Sequence, residues 1–172
     1  MSYEPQLFSA QVRDVACGPG VRIVEPSNIY ECALGSGCFV GPFVEIQKGV
    51  TIGARTKVQS HAFICELVNI GEDCFIGHGA TFTNDLFATG GPERGQRERW
   101  RATSIGNRVS IGSHATLLPV TICDDVVIGA GAVVTRDIAI PGIYAGNPAR
   151  LLRTLPSSTE PADSGTASIP PL

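Results

Sequence analysis

The chain has 172 residues, the length of a single domain with a sizeable core. Its formal net charge of −3 argues against a broad nucleic-acid-binding surface. No apolar run approaches the roughly 20 residues of a membrane span, and no charged-then-apolar signal segment opens the chain, so we expect a cytoplasmic protein.

An aliphatic or aromatic residue recurs at every sixth position from Leu34 onward. The unbroken series is Leu34, Val40, Ile46, Ile52, Val58, Ile64, Ile70, Ile76 and Phe82. A glycine often follows the repeated residue, and a small or β-branched residue often stands four positions after it. A period of six fits a short strand plus a corner, three times per turn, with the repeated residue inside a triangular prism. Residues separated by three hexads are then stacked along the prism axis.

The six cysteines include no CxxC pair, which argues against a zinc ribbon. Cys38 and Cys74 fall where the repeat has a small residue. We therefore expect small buried thiols in a reducing compartment.

The repeat is interrupted at residues 83–103, which are polar, aperiodic and contain glycine and proline. This segment is predicted to be a loop extruded from one corner, and long loops in compact domains are usually functional. The pattern then resumes and slips by one residue at "LLPVTIC". Residues 155–172 are rich in Pro, Ser and Thr and are predicted to form a disordered tail, which leaves 1–154 as the folded domain.

The repeat resembles that of the hexapeptide-repeat acyltransferases over about residues 24 to 154. The resemblance implies an all-β fold, a left-handed parallel β-helix with one protruding loop. Its handedness comes from the family and is an exception to the usual right-handed crossover. The closing "AIPGIYAGNPARLLRTL" implies a short C-terminal helix. Whether residues 1–20 form a further coil stays open.

The resemblance also implies a homotrimer with sites between its subunits. We expect flat prism faces with exposed aliphatic residues, such as Val44, Val50 and Val68, to associate. A cleft between subunits then gives a cofactor its site.

Stacking arithmetic brings Lys48, Glu66 and Asn84 into one axial column beside the exit of the loop, because successive members are three hexads apart. Such a column is a candidate pocket wall that contacts substrate. For Lys48 alone, a solvated surface position is the simpler interpretation.

The stretches "GHGATFTND", "GPFVEIQKGVTIG" and "HAFICE" look most like the branch that N-acetylates amino groups of nucleotide-linked deoxysugars. In that branch an Asn in an "FTN" stretch is associated with the active site, so the resemblance makes Asn84 catalytic, with Glu66 as its neighbour. A sugar amine that attacks the thioester of acetyl-CoA must be neutral, close and oriented. Glu66 or Asp85 can hydrogen-bond the amine, while Asn84 fixes it or polarises the thioester carbonyl.

Two further features have both a structural and a functional interpretation. His78, at a corner, is either a packing or interface residue or a general base. The basic loop, with Arg94 and Trp100, is either a mobile charged segment or a flap that engages the phosphates of a nucleotide sugar or of coenzyme A.

The cofactor positions follow from the resemblance alone. In the family, coenzyme A lies along the later coils between adjacent subunits and contacts mainly backbone groups. The matching positions are Gly131, Ala132, Arg136, Arg150 and Arg153.

Other activities remain as alternatives. An O-acetyltransferase of a sugar hydroxyl would need His78 as its base. A γ-carbonic-anhydrase-like zinc enzyme needs three converging histidines, and the separation of His78 and His114 corresponds to two coils by arithmetic; we expect no metal. A non-catalytic scaffold is the third alternative. The nucleotide, the sugar and the length of the acyl chain are not specified.

Overall fold

The computed structural model describes residue 6, residues 9–93 and residues 96–155. Within these ranges the chain forms a parallel β-helix of about seven turns with three short strands per turn. The predicted tail, apart from residue 155, lies outside the described residues.

The strands are short throughout. In chain order they are β1 (Val12–Arg13), β2 (Ala16–Cys17), β3 (Arg22–Ile23), β4 (Asn28–Tyr30), β5 (Ala33–Leu34), β6 (Phe39–Val40), β7 (Glu45–Ile46), β8 (Thr51–Ile52), β9 (Lys57–Val58), β10 (Phe63–Ile64), β11 (Val68–Ile70), β12 (Phe75–Ile76), β13 (Thr81–Phe82), β14 (Thr103–Ile105), β15 (Ser110–Ile111), β16 (Thr116–Leu117), β17 (Thr121–Ile122), β18 (Val126–Ile128), β19 (Val133–Val134), β20 (Gly142–Ala145) and β21 (Arg150–Thr154). One 3-10 turn, Arg97–Arg99, lies in the loop. No helix in the described ranges has the length and apolarity that crossing a bilayer requires.

Strands three apart in the chain pair in parallel and build the three faces of the prism. Sheet A contains β1, β4, β7, β10, β13, β16 and β19. Sheet B contains β2, β5, β8, β11, β14 and β17, and sheet C contains β3, β6, β9, β12, β15, β18, β20 and β21. We name the edges between them the A/B, B/C and C/A corners.

The repeated residue of each hexad points into the prism, as the period predicts. Ile46, Ile64 and Phe82 are completely buried on successive coils of sheet A. The core is therefore a narrow aliphatic stack, and each buried member of this size stabilises the fold by about 1.5–3 kcal/mol.

The prediction of exposed aliphatic residues on the prism faces is wrong for the three valines named above. Val44, Val50 and Val68 are at most 1% exposed. Each stands four positions after a repeated residue, where the side chain also points inward as the chain leaves the corner. The large apolar side chains that are exposed include Phe43 and Phe75 instead.

Coil length varies between the middle and the ends of the prism. Ala33 pairs with Thr51, a step of three full hexads, but Arg22 pairs with Phe39, one position short of that step. After the loop, Ser104 pairs with Thr121, and this step is again one position short. The shorter coil accounts for the slip in the sequence pattern.

Both ends of the prism differ from what the repeat shows. Strands β1, β2 and β3 pair with β4, β5 and β6, so residues 12–23 form a further coil. The predicted C-terminal helix is wrong: β20 and β21 form an antiparallel hairpin at the end of sheet C. Strand β21 satisfies the open edge of β20 with backbone hydrogen bonds, which a helix at this position would leave unpaired.

The cysteines are free thiols, and Cys32, Cys38, Cys65 and Cys74 are buried. Burial raises the pKa of Cys32 to about 11 and that of Cys65 to about 12. These thiols therefore remain protonated at neutral pH, and only a thiolate reacts as a nucleophile.

We expect the folded protein to show one fast-reacting thiol with an aromatic disulfide reagent at about pH 8, because Cys17 is exposed, burial raises the pKa of the partly exposed Cys123, and the four core thiols are buried and protonated. Stopped-flow absorbance measures the phases, and Cys17→Ser should remove the fast one. Rapid reaction of four or more thiols in the native protein would contradict the buried core.

Candidate functional site

The A/B corner brings together the three residues that stacking arithmetic assigned to one column. The Asn84 side-chain amide donates a hydrogen bond to the Glu66 backbone carbonyl at 3.2 Å. The Glu66 N–H donates to the Gln47 side-chain oxygen at 3.3 Å. Lys48, one coil below Glu66, is ion-paired with Glu31 of the preceding coil.

The extruded loop leaves this corner after β13 and returns to it before β14. Arg97 of the loop lies over the column and pairs with the Glu66 carboxylate at 3.1 Å. The Arg101 N–H donates to the Asn84 backbone carbonyl at 2.9 Å. The Glu66 side chain is only 16% exposed, so the returning loop encloses the Asn84–Glu66 contact.

Asp85 holds the loop in shape. Its two carboxylate oxygens accept hydrogen bonds from the N–H groups of Phe87 at 2.8 Å and Glu93 at 2.9 Å. Glu93 is 5% exposed and pairs with Arg99 at 2.9 Å. Both oxygens of Asp85 are thus engaged within the loop, rather than directed at the column.

Trp100 lines a cavity of about 510 Å³ within the loop, together with Leu86 and Arg99. Its indole N–H is buried and meets no acceptor within the part of the chain that the structure describes. The Arg97 guanidinium lies 5.7 Å from the centre of the Trp100 ring. Arg94 lies outside the described residues.

The C/A corner carries His78 and does not meet the A/B corner within one chain. The Ser60 hydroxyl lies 2.8 Å from His78 Nδ1, and the His78 ring is otherwise exposed. His78 precedes β13 and Asn84 follows it, so about six residues at roughly 3.3 Å each, some 20 Å, separate them. The structure therefore does not bring His78 to the Asn84–Glu66 contact.

His114 is one coil from His78, not two as the arithmetic suggested. The His114 N–H donates to the His78 carbonyl at 2.8 Å, because the loop absorbs the additional residues between them. The His114 ring packs on Gly79, where a Cβ would lie 2.5 Å from it. His61 stacks on Phe43 with ring centres 4.9 Å apart. Across the described ranges no three or more His, Cys, Asp or Glu side chains are grouped to hold a metal.

The positions assigned to coenzyme A lie near the C-terminal end. Arg136 and Arg150 line one cavity of about 240 Å³, and Arg153 lies on the exposed strand β21. Gly131 turns the C/A corner with a φ of 68° and has open space around its Cα. Ala132 is completely buried, so its side chain is not available to a cofactor.

Sequence reasoning missed Ser60 and Gln47. Ser60 stands three hexads before His78, so the same stacking arithmetic would have found it. Gln47 is offset by one further position from Glu66, and only the structure shows that its side chain reaches across the coil.

The fold and this corner define a hexapeptide-repeat β-helix protein. The family profile described as "Bacterial transferase hexapeptide (six repeats)" matches residues 31–66. The profile described as "Hexapeptide repeat of succinyl-transferase" matches residues 67–83 and 102–136. Together they cover about half of the chain. The chain belongs to the hexapeptide-repeat transferase family, and its prism is the left-handed parallel β-helix that the resemblance to this family implies.

Among curated proteins, the chain is 30% identical over 143 residues to the bifunctional protein GlmU of Sphingopyxis alaskensis, covering 73% of this chain and 31% of that protein. The chain therefore spans about a third of the length of the curated relatives it matches.

Two solved structures share the fold. A hexapeptide-repeat acetyltransferase from Vibrio cholerae, complexed with acetyl coenzyme A, has 25% identity and a TM-score of 0.55, over 72% of this chain and 70% of that chain. A mutant of perosamine N-acetyltransferase from Caulobacter crescentus, in complex with CoA and GDP-perosamine, has 24% identity and a TM-score of 0.55, over 83% and 57% of the two chains.

We expect Asp85→Ala to loosen the loop and leave the prism intact, because it removes the acceptor of two loop amides. Hydrogen exchange at the amides of Phe87 and Glu93 should become at least about tenfold faster. The matched control is Asp137→Ala, which removes an acceptor of the Thr121 amide on strand β17, outside the loop. Unchanged exchange at both loop amides in Asp85→Ala would contradict this role.

Proposed function

We propose that this protein transfers an acetyl group from acetyl-CoA to the amine of a nucleotide-linked deoxyamino sugar. The observation that carries the proposal is the contact between Asn84 and Glu66, enclosed by the returning loop. Family membership and the acetyl-CoA complex of the Vibrio relative support the acetyl donor. The fold of the Caulobacter enzyme, crystallised with GDP-perosamine, hosts a reaction of this class.

This reaction depends on the positioning of the reactants more than on catalysis by a strong base. The neutral amine attacks the thioester carbonyl carbon, the C–S bond breaks, and coenzyme A leaves as a thiolate. Glu66 accepts a hydrogen bond from the amine and takes up its proton, or passes it to the thiolate. The Asn84 side chain holds the amine or the carbonyl oxygen in line, and orientation of this kind supplies several kcal/mol.

Arg97 and the acceptor share the Glu66 carboxylate in this scheme. The guanidinium is 61% exposed, so it moves aside at little cost when an amine arrives. Trp100 lines the cavity within the loop, and its indole N–H meets no acceptor among the described residues, so it supplies a donor and an apolar surface to the bound sugar.

The donor half of the site is proposed on the later coils. Arg136 and Arg150, which share one cavity, bind phosphates of coenzyme A, and Arg153 on the neighbouring strand adds a third cation. The open backbone at Gly131 leaves room for the pantetheine arm.

The two halves meet between subunits of a cytoplasmic homotrimer. Asn84, Glu66 and Arg136 lie at the A/B corner, whereas Gly131 lies at the C/A corner of the same prism. A neighbouring copy can bring its C/A corner against this A/B corner, which one chain cannot do by itself. The exposed rings of Phe43 and Phe75 supply apolar surface for such an assembly.

We expect Asn84→Ala to lower turnover by at least about tenfold, about 1.4 kcal/mol of barrier, because the group that orients the reactants is lost. Free-thiol release from acetyl-CoA, measured against a panel of amino-sugar and hydroxyl-sugar nucleotides, checks the reaction. Circular dichroism should show an intact prism. Turnover equal to the unmodified protein would remove Asn84 from the site.

Subunit complementation tests the shared site. Asn84→Ala and Gly131→Phe should each have low activity alone, because the new ring fills the open space at the C/A corner, where Phe43 already adopts the same left-handed conformation. Random mixing of the two chains during refolding should restore about a quarter of the sites, because that fraction pairs an intact A/B corner with an intact donor half. Activity no higher than that of the separate variants would indicate that one chain builds the whole site.

The second candidate is O-acetylation of a sugar hydroxyl with His78 as base. The 2.8 Å contact between Ser60 and His78 Nδ1 favours it, because a bonded Nδ1 fixes the orientation of the imidazole. Thiol release only with hydroxyl acceptors, abolished by His78→Ala, would establish this reaction in place of N-acetylation.

A further inference from the structure

A second cavity lies on sheet A, on the N-terminal side of the Asn84–Glu66 contact. It has a volume of about 520 Å³, within the roughly 300–1,000 Å³ of small-molecule sites. Its lining includes Arg13, Asn28 and Glu45 from three successive coils. The donor positions at the C-terminal end do not extend to it.

Arg13 is a cation held in place at this cavity. Its guanidinium lies 4.4 Å from the centre of the Tyr30 ring, and one nitrogen donates to the Asn28 side-chain oxygen at 3.4 Å. Among the described residues no carboxylate lies within ion-pair distance of it. A positioned guanidinium that makes no direct ion pair among these residues favours a planar or anionic ligand.

The other polar groups favour a nucleoside. Glu45 accepts a hydrogen bond from Gln47 at 2.8 Å and has a second oxygen for hydroxyl or N–H donors of a ligand. The Asn28 amide nitrogen is a donor next to the guanidinium. Burial, followed by the nearby carboxylates of Glu45 and Glu66, raises the pKa of Tyr30, so its phenol stays neutral. The Glu45 carboxylate and the Asn28 amide can therefore hydrogen-bond a ribose and a base beside the stacked Arg13 guanidinium.

The spacing connects this cavity to the reaction site. Glu45 is on the coil of Lys48, one coil below Glu66, and Arg13 is two coils further down. At about 4.8 Å per coil, Arg13 lies roughly 14 Å from Glu66 along the prism axis, comparable to the span of an extended nucleoside diphosphate. Lys48 stands between them at the corner.

We propose that the cavity lined by Arg13, Asn28 and Glu45 binds the nucleoside of the acceptor, with the diphosphate at Lys48 and the sugar amine at Glu66. This assignment rests on the proposed function. It gives the acceptor one direction: its nucleoside points to the N-terminal end of the prism, while coenzyme A approaches from the C-terminal end. Tyr30 is a positioning residue that holds Arg13 at the ligand.

Calorimetry of the full chain with UDP, dTDP and GDP tests the site without any acetyl transfer. At least one of these should bind, and the comparison among them identifies the base. Arg13→Ala and Tyr30→Ala should weaken that binding about tenfold, the scale of one stacking contact. The matched control is Arg22→Ala, because Arg22 lies 5.8 Å above the Phe39 ring in the same coil pair but on sheet C.

Steady-state kinetics distinguish a role in nucleoside binding from a role in the acetyl-transfer step. Arg13→Ala should raise the KM of the nucleotide sugar about tenfold, and kcat/KM should fall less for a free amino sugar, which lacks the nucleoside. Arg13→Lys keeps the charge and loses the planar group, so its KM for the nucleotide sugar should lie between those of the unmodified protein and Arg13→Ala. Circular dichroism checks the folding of each variant.

The outcomes are distinct. Nucleoside diphosphate binding that is lost in Arg13→Ala supports the subsite even if no acetyl transfer is found, which would overturn only the proposed function. Acetylation of a nucleotide sugar with the KM unchanged in Arg13→Ala and Tyr30→Ala would overturn the subsite and leave the reaction standing. Equal loss in Arg22→Ala would also overturn it, because the effect would then not be specific to the cavity.

Discussion

Backbone hydrogen bonds between successive coils hold this molecule together, because such short strands have no stability alone. Each coil must therefore repeat the path of the coil before it, and most coils have three hexads or one position fewer. The coil that carries the loop is longer, and the last step, from Val126 to Gly142, is two positions short. Corner residues such as Arg55, His61 and Asp73 accept left-handed backbone conformations to keep that path. Such a conformation costs roughly 1–2 kcal/mol for a residue other than glycine, and the coil-to-coil hydrogen bonds and core stacking offset it.

The same constraint decides where chemistry can take place. Side chains of strand residues point either into the core or onto the outer face of a sheet. Side chains of corner residues project outward and stack on those of adjacent coils. The B/C corner uses this geometry for ion pairs, with Arg55 bonded to Asp73 and Arg108 bonded to Asp125. These exposed pairs contribute little each. The A/B corner uses it for Glu66 and Asn84, and there the loop adds enclosure.

The loop gives the A/B corner what a bare prism lacks. A corner column on its own is open to solvent, where hydrogen bonds are worth little. Asp85 organises the start of the loop, Arg97 returns to Glu66, and Arg101 returns to Asn84. The loop therefore shields the hydrogen bond between Asn84 and Glu66 from solvent. A shielded polar site of this kind can orient an amine.

The sequence by itself determined the prism, the inward series of aliphatic residues and the column of Lys48, Glu66 and Asn84, because a six-residue period fixes both the coil and its register. It also located the loop, because the period stops there. The tertiary structure decided what the period does not encode. It placed the loop over Glu66 and closed the C-terminal end with a hairpin. These features depend on contacts between residues that share no repeat, so only the folded chain defines them.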